Sequence, residues 1–395
     1  MKKTAFTTLI MILFISASLP AQTVANDDYI KAMTTSNAAQ RVKFLKEYLA
    51  KYAGKGTQYE NFVYATLCVQ NYAGKTARET IEYGEKALAL GGLDDLTKCR
   101  VLITVSGIFS QRGQNLEKAK NYASQVIQIA KASKNNNSPD ATPEQWNKFI
   151  GAGYFTHGQA LEKSKYLKEA VDSYINSYNI LKDVQIANSL KKVGKSLYDI
   201  RFYKDAEKAF EIPVSVLKDF ASYAFYAKTL YKNKKKEEAL KYFKLAYGKQ
   251  RSGEMAFYVG IILADKTKSN PSVSQEAIRY LLEASFLSAA NSKKAMELAE
   301  SIFFTSDRNT KYNQNVKALQ KKSKKLENLT KTFNKKFGEK DEEDLSDAEL
   351  KEMDNMLDEI EAEEKAIQKL KAEQKIVLEN FNKLIEETKQ RLGIR

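Results

Sequence analysis

Residues Lys234–Gly248 read "KKKEEALKYFKLAYG". Lysines followed by aromatics suit a cationic patch for nucleic acid or an anionic membrane. They suit equally a helix start whose lysines face water. A unique stretch favours the patch, and a recurring one favours architecture. The stretch recurs. The pattern of a small residue, eleven others, Ala, three others, an aromatic, two others and a small residue fits Gly158, Ala170, Tyr174 and Ser177. It fits Gly194, Ala206 and Phe210, and then Ala227, Ala239, Phe243 and Ala246. Its first positions, continued to Gly260, are spaced by 36, 33 and 33 residues. Lys234, Lys235 and Lys236 then fall at the turn between two helices, where earlier repeats have "SKYL" (Ser164–Leu167) and "RFYK" (Arg201–Lys204). Glu237 and Glu238 open the next helix, and Ala239, Phe243 and Ala246 pack it. The aromatics belong to a core.

A period near 34 residues built from two helices, carried by these small and aromatic positions, resembles the tetratricopeptide repeat superfamily. One helix pair cannot hide its own apolar face, whereas a stack of pairs can. The likeness continues in "KTARETIEYGEKALAL" (Lys75–Leu90), with Thr80 and Ala87 at the small positions and Tyr64, Leu67 and Cys68 on the partner helix. Ser106–Gly107 with Ala119 and Val126 forms another unit. Gly260 with Ala277, Leu281 and Ala284 forms a last one, stretched in "DKTKSNPSVS". Asn26–Tyr52 reads as an opening pair and Asn291–Thr305 as a closing helix. The resemblance implies an all-α, right-handed α-α superhelical solenoid over residues 27–305. Two features depart from it. Pro213 sits inside a second helix, where it should kink or end it. The polar insert "SKNNNSPDATPEQW" (Ser133–Trp146) reads as a loop that breaks the array at 133–146.

Composition agrees with a helical chain: Gly and Pro number only 17 and 5 in 395 residues. The formal charge of +15 favours acidic partners or anionic surfaces. Residues 1–25 have Lys2 and Lys3, an apolar run from Ala5 to Ala17, then small residues and Pro20, the layout of a secretory signal peptide cleaved after Ala21 or Ala25. The apolar run is too short for a membrane span, and no later segment is long enough. The expected location is the periplasm, with secretion or envelope association as alternatives. Export would allow a disulfide between Cys68 and Cys99, but both sit in apolar helical contexts on neighbouring helices about two turns out of level, which argues against the bond.

The chain changes character after Ser306. Lys311–Lys340 carries ten lysines against Glu327 and Glu339, and Asp341–Glu364 is acidic with only Lys351 opposing. Met353, Met356, Ile360, Ile367, Leu370, Val377, Phe381 and Leu384 form a coiled-coil seam, interrupted at Glu363 and Gln374. Ser346 and Glu349 make a capping box, starting a helix of about 67 Å to Arg391 at 1.5 Å per residue. Residues 309–395 are therefore expected to form a coiled coil or a helical hairpin. Self-association through 347–391 is slightly favoured over folding back on the basic arm.

Chemistry is sparse. The only histidine, His157, sits at a helix-packing position, and one histidine with two separated cysteines makes no zinc set. No phosphate-binding glycine motif occurs, so no cofactor is expected, and the chain reads as no enzyme. Nucleic-acid binding suits the charge but conflicts with export and lacks a recognition motif. The resemblance implies that first helices line a concave surface bearing Phe155, Gln159, Lys191, Lys195, Tyr198, Lys228, Tyr231 and Phe257. Lysines among aromatics suit an acidic protein or peptide partner. The family's carboxylate clamp is not matched: Lys191 and Lys195 fit two positions, but Ala221, Ala224 and Phe225 occupy the others. The expected function is an exported scaffold or adaptor with a tail for oligomerisation or docking. The alternative is an envelope binder whose basic solenoid contacts anionic lipid, lipopolysaccharide or wall polymer.

Overall fold

A computed structural model describes residues 22–306 and 310–394. Residues 1–21, most of the expected signal peptide, lie outside the described part. Among the described residues there are seventeen α-helices and no strand. The chain divides into two compact units, one ending at Lys218 and one starting at Asp219.

The first unit holds α1 (22–34), α2 (Ala38–Tyr52), α3 (Glu60–Val69), α4 (Ala77–Leu90), α5 (Asp95–Arg112), α6 (Leu116–Asn135), α7 (Pro143–Lys163), α8 (Leu167–Leu181), α9 (Val184–Asp199) and α10 (Tyr203–Val216). From α2 onward, each helix packs on the next. Three turns between paired helices, and a fourth with Gly113, share one construction. The first or second residue after the first helix is left-handed: Gly113, Lys165 and Arg201 have φ of 68°, 68° and 66°. The following N–H then reaches back to a carbonyl five residues earlier: Gln114 to Phe109, Tyr166 to Leu161, Phe202 to Leu197. This turn satisfies carbonyls that a helix end leaves orphaned and sends the chain back antiparallel. In the second unit Lys234 repeats it, with φ of 65° and Lys235 N–H bonded to Leu230 O.

The small positions work by contact. A Cβ built on Gly158 would stand 2.8 Å from Tyr174 Cδ1, and one on Gly194 3.0 Å from Phe210 Cε2. Tyr174, Phe210 and Phe243 are fully buried. In the repeat of α5, the buried small residue is Ser106; a Cβ on Gly107 would meet nothing within 4 Å.

Pro213 does not end its helix. It lies buried inside α10, which continues to Val216, so the lost N–H bond falls in the last turn. The insert also differs from the expected loop. Ser133–Asn135 finish α6, and Pro143 starts α7 through a capping box of Thr142 and Gln145. Trp146 is buried with Cys99, Leu102, Val126 and Ile150, leaving only residues 136–142 between the helices.

The second unit holds α11 (Phe220–Lys232), α12 (Lys236–Lys249), α13 (Gly253–Thr267), α14 (Ser274–Leu287), α15 (Ser292–Thr305), α16 (Thr310–Phe337) and α17 (Asp347–Leu392). Here too each helix packs on its successor. Of the opening lysines, Lys234 is the left-handed residue, Lys235 caps α12, and Lys236 is its first residue, paired with Asp265 at 2.6 Å.

α16 and α17 form an antiparallel hairpin. Lys336 pairs with Glu352, Lys325 with Glu359 (2.7 Å), and Lys322 and Lys325 both with Glu363 (2.8 and 2.9 Å). Farther along, the Asn315 amide donates to Glu373 at 2.8 Å. Glu363, which interrupts the seam in sequence, is buried as the anchor of this charge ladder. Ser346 and Glu349 form the expected capping box. Beyond the hairpin, α17 docks on the helices before it. Phe381 packs against Phe303 and Phe304 with centroids at 5.0 and 5.7 Å, and Tyr312 stacks on Phe304 at 4.3 Å.

Candidate functional site

The expected partner-binding residues divide between the two units. Phe155 and Gln159 lie on α7, and Lys191, Lys195 and Tyr198 on α9. Phe155 leans on Tyr174 (5.8 Å) and Tyr198 on Tyr203 (5.4 Å), so both rings are half-buried. Lys191 is half-buried and Lys195 exposed. Lys192, one position away, pairs with Glu162 at 2.8 Å, and the same carboxylate accepts the Tyr174 hydroxyl at 2.7 Å. Burial, helped by Glu162, pushes the Tyr174 hydroxyl well above the ordinary tyrosine range.

In the other unit, Lys228 and Tyr231 lie on α11 and Phe257 on α13. Phe257 is 8 % exposed, beside Tyr258, and therefore contributes mainly to packing. The apolar character of α13, buried on several sides, hid this: a helix buried around its circumference gives no amphipathic register. Lys228 is held by Glu254 at 2.8 Å, and Tyr231 packs on Tyr258 and Phe243.

The remaining reactive side chains have structural surroundings. His157 Nδ1 lies 3.0 Å from Ser173 Oγ; burial, with Lys120 nearby, pulls its pKa below the ordinary histidine value. Cys68 and Cys99 are free, buried thiols, each pushed up to about 12 by burial, so neither is poised as a thiolate. Among the described residues no cluster of three or more His, Cys, Asp or Glu side chains could hold a metal ion, and no helix is long and apolar enough to cross a membrane.

Two surfaces were not legible in sequence. One is the dock for the last turn of α17. Arg391 Nη2 meets Glu283 Oε1 at 2.9 Å, Tyr247 donates its hydroxyl to the other carboxylate oxygen, and Arg251 donates to the Arg391 carbonyl at 3.2 Å. Arg391 lies more than 100 residues from Glu283 and Arg251, which no local pattern reports. The other is an open cleft of about 430 Å³ above α7, between α6 and α8. Its floor is Ile150 and Tyr154, and its walls include Lys131, Lys134, Asn176 and Asn179. Of its lining, Lys134 and Asn135 come from the stretch that read as loop, at the end of α6.

No family model matches the chain, and no curated protein matches it. Among solved structures, it is similar to a tetratricopeptide repeat protein from Parabacteroides merdae at 12 % identity, over 71 % of this chain and 99 % of that one, with a TM-score of 0.34. It is similar to the C-terminal part of a TPR repeat-containing protein from Cytophaga hutchinsonii at 13 % identity, over 64 % and 95 %, with a TM-score of 0.32. It is also similar to the TPR2AB domain of yeast Sti1, solved in complex with pHSP90, at 16 % identity, over 62 % and 98 %, with a TM-score of 0.25. Overlaps this loose carry no argument, and the repeated helix pairs rest on the chain's own turns and small–aromatic contacts.

Proposed function

We propose that this chain is a non-catalytic, exported scaffold that binds acidic partner proteins on the surfaces of its helix pairs. The observation that supports this most is how the pairs use their residues. The small and aromatic residues of the repeat pattern are buried between helices, and lysines are numerous on the exposed faces. From Lys311 to the end, 19 basic and 19 acidic residues cancel, so the excess positive charge belongs to the helix pairs and the leader. Charge of this kind steers acidic partners and sets specificity more than affinity. The tail reads best as an intrachain clasp, since the seam residues Met353, Ile367 and Phe381 are buried within the chain, Met353 with Phe337 of α16 and Phe381 against Phe303 and Phe304 of α15.

Export rests on the layout of residues 1–21. Ala25 is fully buried with Leu45 and Tyr48, so cleavage after Ala21 would keep the α1 contact that cleavage after Ala25 would remove. N-terminal sequencing of the protein from its native cell should read from Gln22. The adaptor role is tested by crosslinking the full chain in the periplasm and identifying what it holds. Specific acidic envelope proteins, lost in a Lys191→Glu/Lys195→Glu variant, are the expected result; background proteins alone would refute it. The same charge favours a second reading, contact with anionic lipid or wall polymer. That reading expects retention on anionic vesicles that vanishes in moderate salt.

A further inference from the structure

The second helices of neighbouring pairs are tied together by ion pairs. Lys118 on α6 reaches Glu85 on α4 at 2.5 Å. Lys168 on α8 reaches Asp205 on α10 at 3.4 Å, and Lys208 returns from α10 to Asp172 at 2.5 Å. In the other unit, Lys244 on α12 meets Glu276 on α14 at 2.9 Å. Between α6 and α8 the described residues hold no such pair. The cleft over α7 occupies that place instead.

The cleft has cations without their usual counter-charge. Lys131 donates to the Tyr154 hydroxyl at 2.9 Å and lies 5.3 Å from its ring centroid. Lys134 donates to the Asn147 side-chain carbonyl at 2.9 Å. Both acceptors are neutral, and neither ammonium meets a carboxylate among the described residues. A neutral acceptor is a weaker partner for an ammonium than a carboxylate at the same distance. Across the cleft, Asn176 and Asn179 are exposed, and among the described residues their side chains make no hydrogen bond, leaving amide donors and acceptors one helical turn apart. Ile150 and Ile180 add apolar surface. The volume lies within the roughly 300–1,000 Å³ typical of ligand sites.

We propose that this cleft binds an acidic, extended segment of a partner protein, with its carboxylates on Lys131 and Lys134 and its main chain on Asn176 and Asn179. The two lysines are three residues apart, about 4.5 Å along the helix at 1.5 Å per residue, and their long stems can reach acidic side chains at alternate positions of an extended strand, which share one face about 6.8 Å apart. The asparagines offer the paired donor and acceptor that a peptide group needs. This surface lies on the other side of α7's register from Phe155 and Gln159. It adds to the adaptor reading a site that can succeed or fail independently of the α9 lysines.

The test is fluorescence-anisotropy titration of the full chain with a labelled decapeptide of alternating glutamate and glycine, in low salt. The expected result is saturable binding, weakened at least tenfold by Lys131→Glu/Lys134→Glu and about threefold by Asn176→Ala/Asn179→Ala. A charge-matched control, Lys241→Glu/Lys249→Glu, should leave affinity unchanged, and the thermal transition should be the same in all variants. No binding, or equal loss in the control, would overturn the proposal. So would loss confined to Lys191→Glu/Lys195→Glu, although that outcome would support the adaptor role. If anionic vesicles bind with the same lysine dependence but no asparagine dependence, the site serves a membrane and the peptide proposal fails.

Discussion

The helix pairs α7–α10 and the hairpin α16–α17 are both antiparallel helices, yet they are held by different physics. In the pairs, register comes from shape: Gly158 and Gly194 leave room that Tyr174 and Phe210 fill. In the hairpin, register comes from charge: a basic helix meets an acidic one through Lys322, Lys325, Lys336 and their glutamates. Shape complementarity is insensitive to pH and salt, whereas exposed ion pairs are screened. The two regions should therefore fail under different conditions.

Substitutions sharpen the contrast, beginning with the largest effect. Phe210→Ala should cost about 3–5 kcal/mol of unfolding free energy in chemical denaturation, because a fully buried ring leaves a cavity. A loss under 1 kcal/mol would mean that the ring is not the keystone of its pair. Gly158→Ala should cost about 1–3 kcal/mol, since the new methyl meets Tyr174 at 2.8 Å. Gly107→Ala offers the internal control: with open space around it, the same change should stabilise by up to about 1 kcal/mol through helix propensity. Equal effects at the two glycines would break the account of small positions. Smallest is Lys234→Gly, expected to raise stability by about 0.5–1 kcal/mol by relieving a left-handed lysine at φ 65°. A calorimetric melt showing no gain would mean that the lysine side chain contributes contacts of its own.

The same difference explains what could be read in the sequence. Steric interlock needs particular residues at fixed spacing, so Gly158, Ala170 and Tyr174 announced the pairs, and the turn lysines were legible as turns. Charge blocks announced two complementary segments but not their partner, because Glu363 looks like a seam defect until Lys322 and Lys325 are placed opposite it. Phe257 was misplaced to the surface because α13 is apolar on several faces. Trp146 was placed in a loop because its neighbours are polar, although it is buried. The Arg391–Glu283 contact and the cleft over α7 depend on residues distant in sequence, and no periodicity reports distance in space.

The electrostatic region has a defined direction of failure. Bonds from the Ser346 backbone and hydroxyl, with Lys340, hold Glu349 at about 2, below the ordinary 4.5. Lys322 and Lys325 likewise lower Glu363. A carboxylate depressed in the folded state contributes stability that is present above its unfolded value and lost as pH falls through its folded value. The hairpin should thus weaken from about pH 4.5 downward. The most direct measurement is hydrogen exchange of the full chain across pH 7 to 2, corrected for intrinsic rates. Amides of α16 and α17 should lose protection at a higher pH than those of α7–α10. Simultaneous loss in both regions, or earlier opening of α7–α10, would contradict it.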